Sequence, residues 1–225
     1  MTATLLSVSG LAVRRGAEFV LHDLSFDVAQ GEILLIEGAN GSGKTTLLEC
    51  LAGLVRSVTG SVLLQGQPMQ HLSPDRIARE GLILVHQERH LFASLTVRQN
   101  LDMADFLRRP GVRPDTIDDL LALYGLERVA DTPAGLLSGG EQHLVALARG
   151  LRCRPIVALL DEPLAALAAD ARQRVVRDLR RRADEGCAVV IVDHRREDLI
   201  PVADRLVELR EGVLVTVNAT AGVSR

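Results

Sequence analysis

The hydrophobic pattern changes period several times along the chain. Four short runs are almost wholly apolar: Ile33-Leu34-Leu35-Ile36, Leu82-Ile83-Leu84-Val85, Ile156-Val157-Ala158-Leu159-Leu160 and Ala188-Val189-Val190-Ile191-Val192. Strands without polar alternation must be covered on both faces, so these runs predict a parallel sheet flanked by helices. The segment 4–36 reads as short strands with turn signals at Gly10, Gly16 and Gln30-Gly31, and 61–66 adds another strand of that kind. Together they predict an N-terminal antiparallel β part. From 91 to 152 strand signals give way to helical spacing, at Val97–Leu107, Thr116–Leu123 and Glu141–Leu151. The expected organisation is one α/β domain, 1–225, whose core (1–90 and 153–225) carries an inserted helical subdomain at 91–152. A frayed tail is expected after Val217.

Ala171, Val175, Val176, Leu179 and Ala183 recur at helical spacing beside Arg172, Arg174, Arg177, Arg180, Arg181 and Arg182. This predicts an amphipathic helix with the arginines on its solvated face and Gly186 as its C-terminal cap. Composition adds limits rather than chemistry. With 47% hydrophobic and 24% charged residues, the chain is of the globular class that buries a core. No run approaches the roughly 18 apolar residues of a membrane span. The opening MTATLLSV has no charged leader, so no signal peptide is expected. Cys50, Cys153 and Cys187 are too scattered for a disulfide framework or metal cluster, which points to reduced cytoplasm. A net charge of −3 with 2% aromatic residues argues against nucleic-acid binding.

Candidate chemistry begins where the first apolar run ends. Gly38-Ala39-Asn40-Gly41-Ser42-Gly43-Lys44-Thr45 follows a strand and opens a helical pattern from Thr46. This is G-x-x-x-x-G-K-[ST] in its proper context, a phosphate loop. Its glycines turn backbone N–H groups toward phosphate, and the helix N-terminus adds partial positive charge. Lys44 is expected to reach the β- and γ-phosphates, and Thr45 to offer its hydroxyl to Mg²⁺. The run at 156–160 ends in Asp161 and Glu162. Asp161 is the expected metal-side acid, and Glu162 the group that polarises an attacking water.

Leu137-Ser138-Gly139-Gly140-Glu141-Gln142 precedes a periodic helix. Ser138 with Glu141 forms a capping-box pattern, and the two glycines bare backbone N–H groups at a helix start where a second anion can bind. Here the sequence resembles the nucleotide-binding subunits of ABC (ATP-binding cassette) transporters, whose signature is LSGGQ or a close variant. The resemblance runs from Leu11 to Gly212 and implies the ABC ATPase fold, a P-loop NTPase core. It implies that Gln87 contacts metal and attacking water, and that His194 contacts the γ-phosphate as a switch histidine. Asp204 through Gly212 resembles the family's closing strand pair. His22, His71, His86, His90 and His143 match no motif and are expected at the surface or in packing.

The same resemblance implies ATP and Mg²⁺ as cofactors and two subunits sandwiching two ATP molecules. One subunit supplies Lys44, Gln87, Asp161, Glu162 and His194; the other supplies Ser138, Gly139 and Gly140, with Glu141 beside them. The implied partners are a second ATPase subunit (identical or different), a transmembrane permease and, for an importer, a solute-binding protein. The implied location is the cytoplasmic face of the cell membrane. Gly81–Leu101 is loosely similar to importers of amino acids and related small solutes, so import is slightly favoured. Phe92–Val97 is the expected permease contact. A soluble ATPase of an assembly pathway (iron–sulfur cluster type) and a regulatory nucleotide-binding module stay open as alternatives. DNA-repair relatives carry long insertions that are absent here.

Two positions depart from the family pattern. Arg15 stands where an aromatic residue usually stacks on adenine; its planar guanidinium can stack instead, or Phe19 can reach the base. Ala168 stands where an Asp usually crosses the dimer interface. Both departures motivate a heterodimer as a hypothesis.

Overall fold

The computed structural model describes residues 2–88 and 90–216. The tail after Val217 lies outside the described residues. The chain opens with an antiparallel pair, β1 (Thr4–Arg15) and β2 (Glu18–Ala29), and continues through β3 (Ile33–Glu37) into α1 (Lys44–Leu51). Next come β4 (Ser57–Leu64), β5 (Gln67–Pro68), α2 (Pro74–Glu80) and β6 (Leu82–Val85). Helices α3 (Val97–Asp102), α4 (Ile117–Tyr124) and α5 (Gly139–Leu151) follow, with a 3₁₀ turn at Met103–Leu107. The chain then runs through β7 (Val157–Asp161), α6 (Ala169–Asp184), β8 (Ala188–Val192), α7 (Arg196–Leu199), β9 (Arg205–Arg210) and β10 (Val213–Thr216).

These strands make two sheets, β2-β1-β4-β5 and β10-β9-β3-β8-β7-β6. In the second, β9, β3, β8, β7 and β6 run parallel, and β10 closes one edge antiparallel to β9. Its all-apolar strands divide between two cores by alternate residues. Ile33, Leu35, Ile83, Val85, Ala158, Leu160, Val189 and Ile191 pack with residues of α3 to α6. Leu34, Ile36, Leu82, Val157, Leu159, Val190 and Val192 pack with α1 and the antiparallel sheet. Strand side chains alternate between faces, so a sheet covered on both sides tolerates no polar position.

Two local expectations change. Gly10 is not a turn: β1 runs through it as a 12-residue strand whose pairing registers shift between Val8 and Leu11. A Cβ on Gly60 would lie 2.5 Å from the Gly10 carbonyl oxygen, so the glycines mark a close backbone approach at a bulge. The second change concerns α6. It is amphipathic and ends at Gly186 as expected, but Arg182 is 3% exposed and leaves the solvated face. Residues 171, 175, 178, 179, 182 and 183 are the buried stripe of that helix, so Asp178 and Arg182 enter the core together.

Their charges are satisfied there. Arg182 donates through Nε to Asp178 Oδ2 (2.8 Å), through Nη1 to the Leu151 carbonyl (2.8 Å) and through Nη2 to Asp115 Oδ2 (2.8 Å). The buried Tyr124 hydroxyl also donates to Asp178 Oδ2, at 2.6 Å. Burial pushes the tyrosine pKa well up, and the neighbouring Asp178 charge pushes it further. Burial pushes the Asp178 carboxyl upward, but Arg182, Tyr124 and Arg181 more than reverse this and hold it low. The cluster fastens α4 and the end of α5 to α6.

Candidate functional site

The parallel strands deliver their chemistry at one end. In open α/β sheets the carboxyl ends of the strands form the ligand crevice. Here β3 ends in the phosphate loop, β7 in Asp161 and Glu162, β8 in Asp193 and His194, and β6 leads to Gln87. A cleft of about 360 Å³ is lined by Val20, Asn40, Gly41, Gly43, Lys44, Thr45, Thr46, Gln87, Asp161 and Glu162.

The loop is shaped by its glycines. A Cβ on Gly38 would stand 2.3 Å from the Leu209 carbonyl oxygen and 2.6 Å from Ser42 Oγ, so no other residue fits between β9 and the loop. Lys44 opens α1, and its Nζ donates to the Gly38 (2.7 Å) and Ala39 (3.0 Å) carbonyls, which keeps the ammonium inside the loop. Ser42 Oγ is buried without a hydrogen-bond partner among the described residues.

The acids are held in different ways. Strand β8 lies between β3 and β7, so Asp161 reaches the loop through its side chain, in a hydrogen bond with Thr45. Asp161 is 4% exposed. Burial raises its carboxyl above the ordinary range, the Glu162 charge adds to this, and Thr45, His86 and Lys44 oppose it. Glu162 leaves the strand in a left-handed backbone conformation (φ 48°) with its N–H on the Val192 carbonyl (2.8 Å). Such strain is kept where the surrounding structure imposes it, often at functional sites. Gln87 Nε2 donates to Glu162 Oε2 at 2.8 Å, so the side-chain oxygen of Gln87 is not used in that contact. His194 is exposed, its Nδ1 3.8 Å from Glu162 Oε1.

Residues the sequence pattern passed over support these groups. Asp193, 1% exposed, accepts N–H bonds from Arg195 (2.9 Å) and Leu164 (3.4 Å), tying the histidine turn to the segment after Glu162. His143 on α5 donates from Nε2 to the Pro163 carbonyl at 2.9 Å, so it is a packing residue, one that joins α5 to the chain just past Glu162. No motif marks either; only the fold brings them together.

Ser138 caps α5 as its pattern predicts. Its N–H donates to Glu141 Oε2 (2.8 Å) and its Oγ accepts from the Glu141 N–H (3.4 Å). Ser138 and Gly139 are exposed, and none of residues 138–141 lines the phosphate cleft. Gly140 lies against the 164–168 segment: a Cβ there would be 3.2 Å from the Ala166 carbonyl oxygen. Arg15, at the end of β1, pairs with Glu49 of α1 and stays half exposed.

Comparison with known proteins bears on the family and the fold. A family model described as ABC transporter matches residues 21–165. The high-affinity branched-chain amino acid transport ATP-binding protein BraG of Pseudomonas aeruginosa is 34% identical over 94% of this chain and 91% of its own length. The chain belongs to the ABC transporter family. Within it, the chain is an ATP-binding domain, the ATPase component that couples to transport. The hemin import ATP-binding protein HmuV of Rhodococcus jostii is 40% identical over 93% of this chain and 73% of that protein. The chain spans less than half, 43%, of the ribose import ATP-binding protein RbsA of Pseudomonas putida, at 35% identity. Among solved structures, an ATP-binding subunit of an ABC transporter superposes with a TM-score of 0.84 at 23% identity, covering 95% of this chain and 90% of that one. A dimeric ATP-binding cassette bound to ADP and Pi gives 0.83 at 24%, covering 96% and 100%. Both show the shared fold.

Proposed function

We propose that this ABC ATP-binding domain hydrolyses Mg²⁺-ATP in the cleft above β3, and that the signature at Ser138–Glu141 closes the equivalent cleft of a second subunit. The observation that carries the proposal is the gathering of Lys44, Thr45, Gln87, Asp161 and Glu162 in one cleft that the signature does not enter. The fit to a nucleotide rests on the Gly38 cradle, the glycines of the loop and the Ser42 hydroxyl, which suit a phosphate. The fit to Mg²⁺ rests on the donor set: the Thr45 hydroxyl, the Asp161 carboxylate and the Gln87 carbonyl are all oxygens, as a hard cation requires. Held by these residues, Mg²⁺ would supply positive charge to offset that of the phosphates.

The chain's own groups do the rest. Backbone N–H groups of the loop and Lys44 bind and orient the phosphates. Glu162, held by Gln87, orients a water and accepts its proton as that water attacks the γ-phosphorus and ADP leaves. His194 sits beside Glu162 to sense the γ-phosphate. Across a dimer, Ser138, Gly139 and Gly140 present N–H groups at the start of α5 to the other nucleotide, with Glu141 locking that start in place. Residues 91–152 act as a helical subdomain of a single domain, 1–225, and carry the signature toward and away from the core.

HmuV and CysA are named for import and BraG for transport, which favours import here, with a permease and a solute-binding protein as partners at the cytoplasmic face of a membrane. Among the described residues no helix is long and apolar enough to cross a membrane. A groove of about 440 Å³ beside Gln87, lined by Val85, Phe92, Met103, Phe106, Leu107 and Arg149, is the proposed permease dock. Of the expected contact Phe92–Val97, Phe92 lines this groove and residues 93–97 do not; Phe106, 71% exposed, joins it. Glu162→Gln tests the catalytic reading. ATP turnover, by this chain with its membrane partners, should fall by about 10²-fold or more while ATP binding survives. Turnover that is unchanged by the substitution overturns the assignment.

A further inference from the structure

Strands β3 and β8 are paired as far as Ile36 and Val192. Past that point their chains part. One enters the phosphate loop through Glu37 and Gly38; the other turns through Asp193 and His194 into α7. The backbone ladder therefore stops just short of both the loop and the histidine.

An ion pair spans the gap. Arg196, the first residue of α7, places its Nε 2.9 Å from Glu37 Oε1, close enough for charge attraction though not aligned as a hydrogen bond. Arg196 is part of the histidine turn: its N–H donates to the His194 carbonyl at 3.2 Å, and Asp193 accepts the N–H of the neighbouring Arg195 at 2.9 Å. The buried Leu199 anchors the far end of α7. Glu37 ends β3 and its side chain is 14% exposed, so the pair ties the turn to a rigid strand.

The surroundings of Glu37 do not favour its charge. Glu208 on β9 is paired directly opposite, and like charges so placed in a sheet repel. Arg210 holds Glu208 at 2.8 Å, which leaves Arg196 to Glu37. Burial pushes the Glu37 carboxyl up, Arg196 opposes this and Glu208 adds to it, for a net rise. A carboxyl raised in the fold destabilises it once ionised. At neutral pH the acid therefore does not serve stability, and its use lies in what it holds. His194 needs holding: its side chain is 63% exposed, and its Nδ1 is 3.8 Å from both Glu162 and Asp193, beyond hydrogen-bond reach.

We propose that Glu37 and Arg196 are positioning residues for His194: their ion pair clamps the histidine turn to the root of the phosphate loop and so sets where the imidazole meets the γ-phosphate. This rests on the ATP reading of the cleft. The clamp acts on turnover and leaves nucleotide binding to the loop.

The experiment measures ATP turnover and equilibrium ATP binding, both with Mg²⁺, for this chain with its membrane partners. Arg196→Ala should lower kcat about five- to tenfold and leave ATP affinity unchanged. Arg196→Lys keeps a cation at the turn and should recover most of that loss. Glu37→Gln should lower kcat too, while its melting temperature at neutral pH holds or rises; it carries the test if Arg196→Ala does not fold. The double variant should lose no more than the larger single effect. In a His194→Ala background, read by single-turnover hydrolysis, adding Arg196→Ala should cost nothing further. An unchanged kcat in both single variants, equal losses of turnover and binding, or a further drop in the His194→Ala background overturns the positioning role. A wild-type protein that neither binds nor hydrolyses ATP overturns the nucleotide reading and this inference with it.

Discussion

Asp161 and Asp178 are buried to nearly the same degree, at 4% and 1% exposure, yet their carboxyls shift in opposite directions. Asp178 sits in the core of a helix interface with Arg182, Arg181 and Tyr124 around it, and its charge is held. Asp161 sits at a strand end beside the phosphate loop with the Thr45 hydroxyl hydrogen-bonded to it, and burial wins. Removing a charge from water costs several kcal/mol unless partners replace the lost hydration. The first acid has its partners within the chain. The second is left short of them where a nucleotide's cation would supply the difference.

The largest effect is expected from breaking the satisfied cluster. Asp178→Ala strands Arg182 in the core and should cost about 3–5 kcal/mol, read as a lower denaturation midpoint. ATP affinity per folded molecule should hold; an equal loss at the cleft would dissolve the contrast between the two acids. Asp161→Asn should do the reverse, raising the melting temperature of nucleotide-free protein at neutral pH while weakening Mg²⁺-dependent binding. The sign follows from linkage. A carboxyl raised in the fold contributes stability that is present below the ordinary value of 3.8 and lost as pH rises through its folded value. Asp178, lowered in the fold, contributes stability above 3.8 that is lost as pH falls through its folded value. Calorimetry across that range should show Asp161→Asn removing the destabilising limb and Asp178→Ala the stabilising one.

The smallest effect comes from adding an acid where there is none. Helix α6 starts at Ala168, exposed and with no side-chain cap, whereas α3, α4 and α5 start at Thr96, Thr116 and Ser138, each accepting an N–H bond. Ala168→Asp should stabilise the chain by about 1 kcal/mol as an N-cap, free of any burial cost. The same substitution restores the carboxylate expected at a dimer interface. Analytical ultracentrifugation with ATP and Glu162→Gln as background should then show stronger self-association, and no change would argue that Ala168 has no interface role.

Much of the site was legible because its chemistry is written in contiguous residues. The phosphate loop, Asp161-Glu162 and the Ser138 cap each need a fixed local spacing, and the all-apolar runs give the sheet for the same reason. What stayed hidden depends on distant pairs. Asp178 and Arg182 look like solvated helix charges until Tyr124 and Asp115 arrive from residues more than fifty positions away. Asp193, His143 and Glu37 carry no motif, and Gly10 reads as a turn until Gly60 is seen against it.

The position of β3 in its sheet sets an order of events during synthesis. Its neighbours are β8 and β9, which emerge about 150 residues after it. At roughly 5–20 residues per second, the strand that carries the phosphate loop waits about 8–30 s on the ribosome before either neighbour exists. The antiparallel pair β1–β2 is complete well before then. A nascent chain of this protein therefore spends most of its synthesis with its ATP site unformed and an apolar strand unpaired. That interval is when a chaperone has the most to hold.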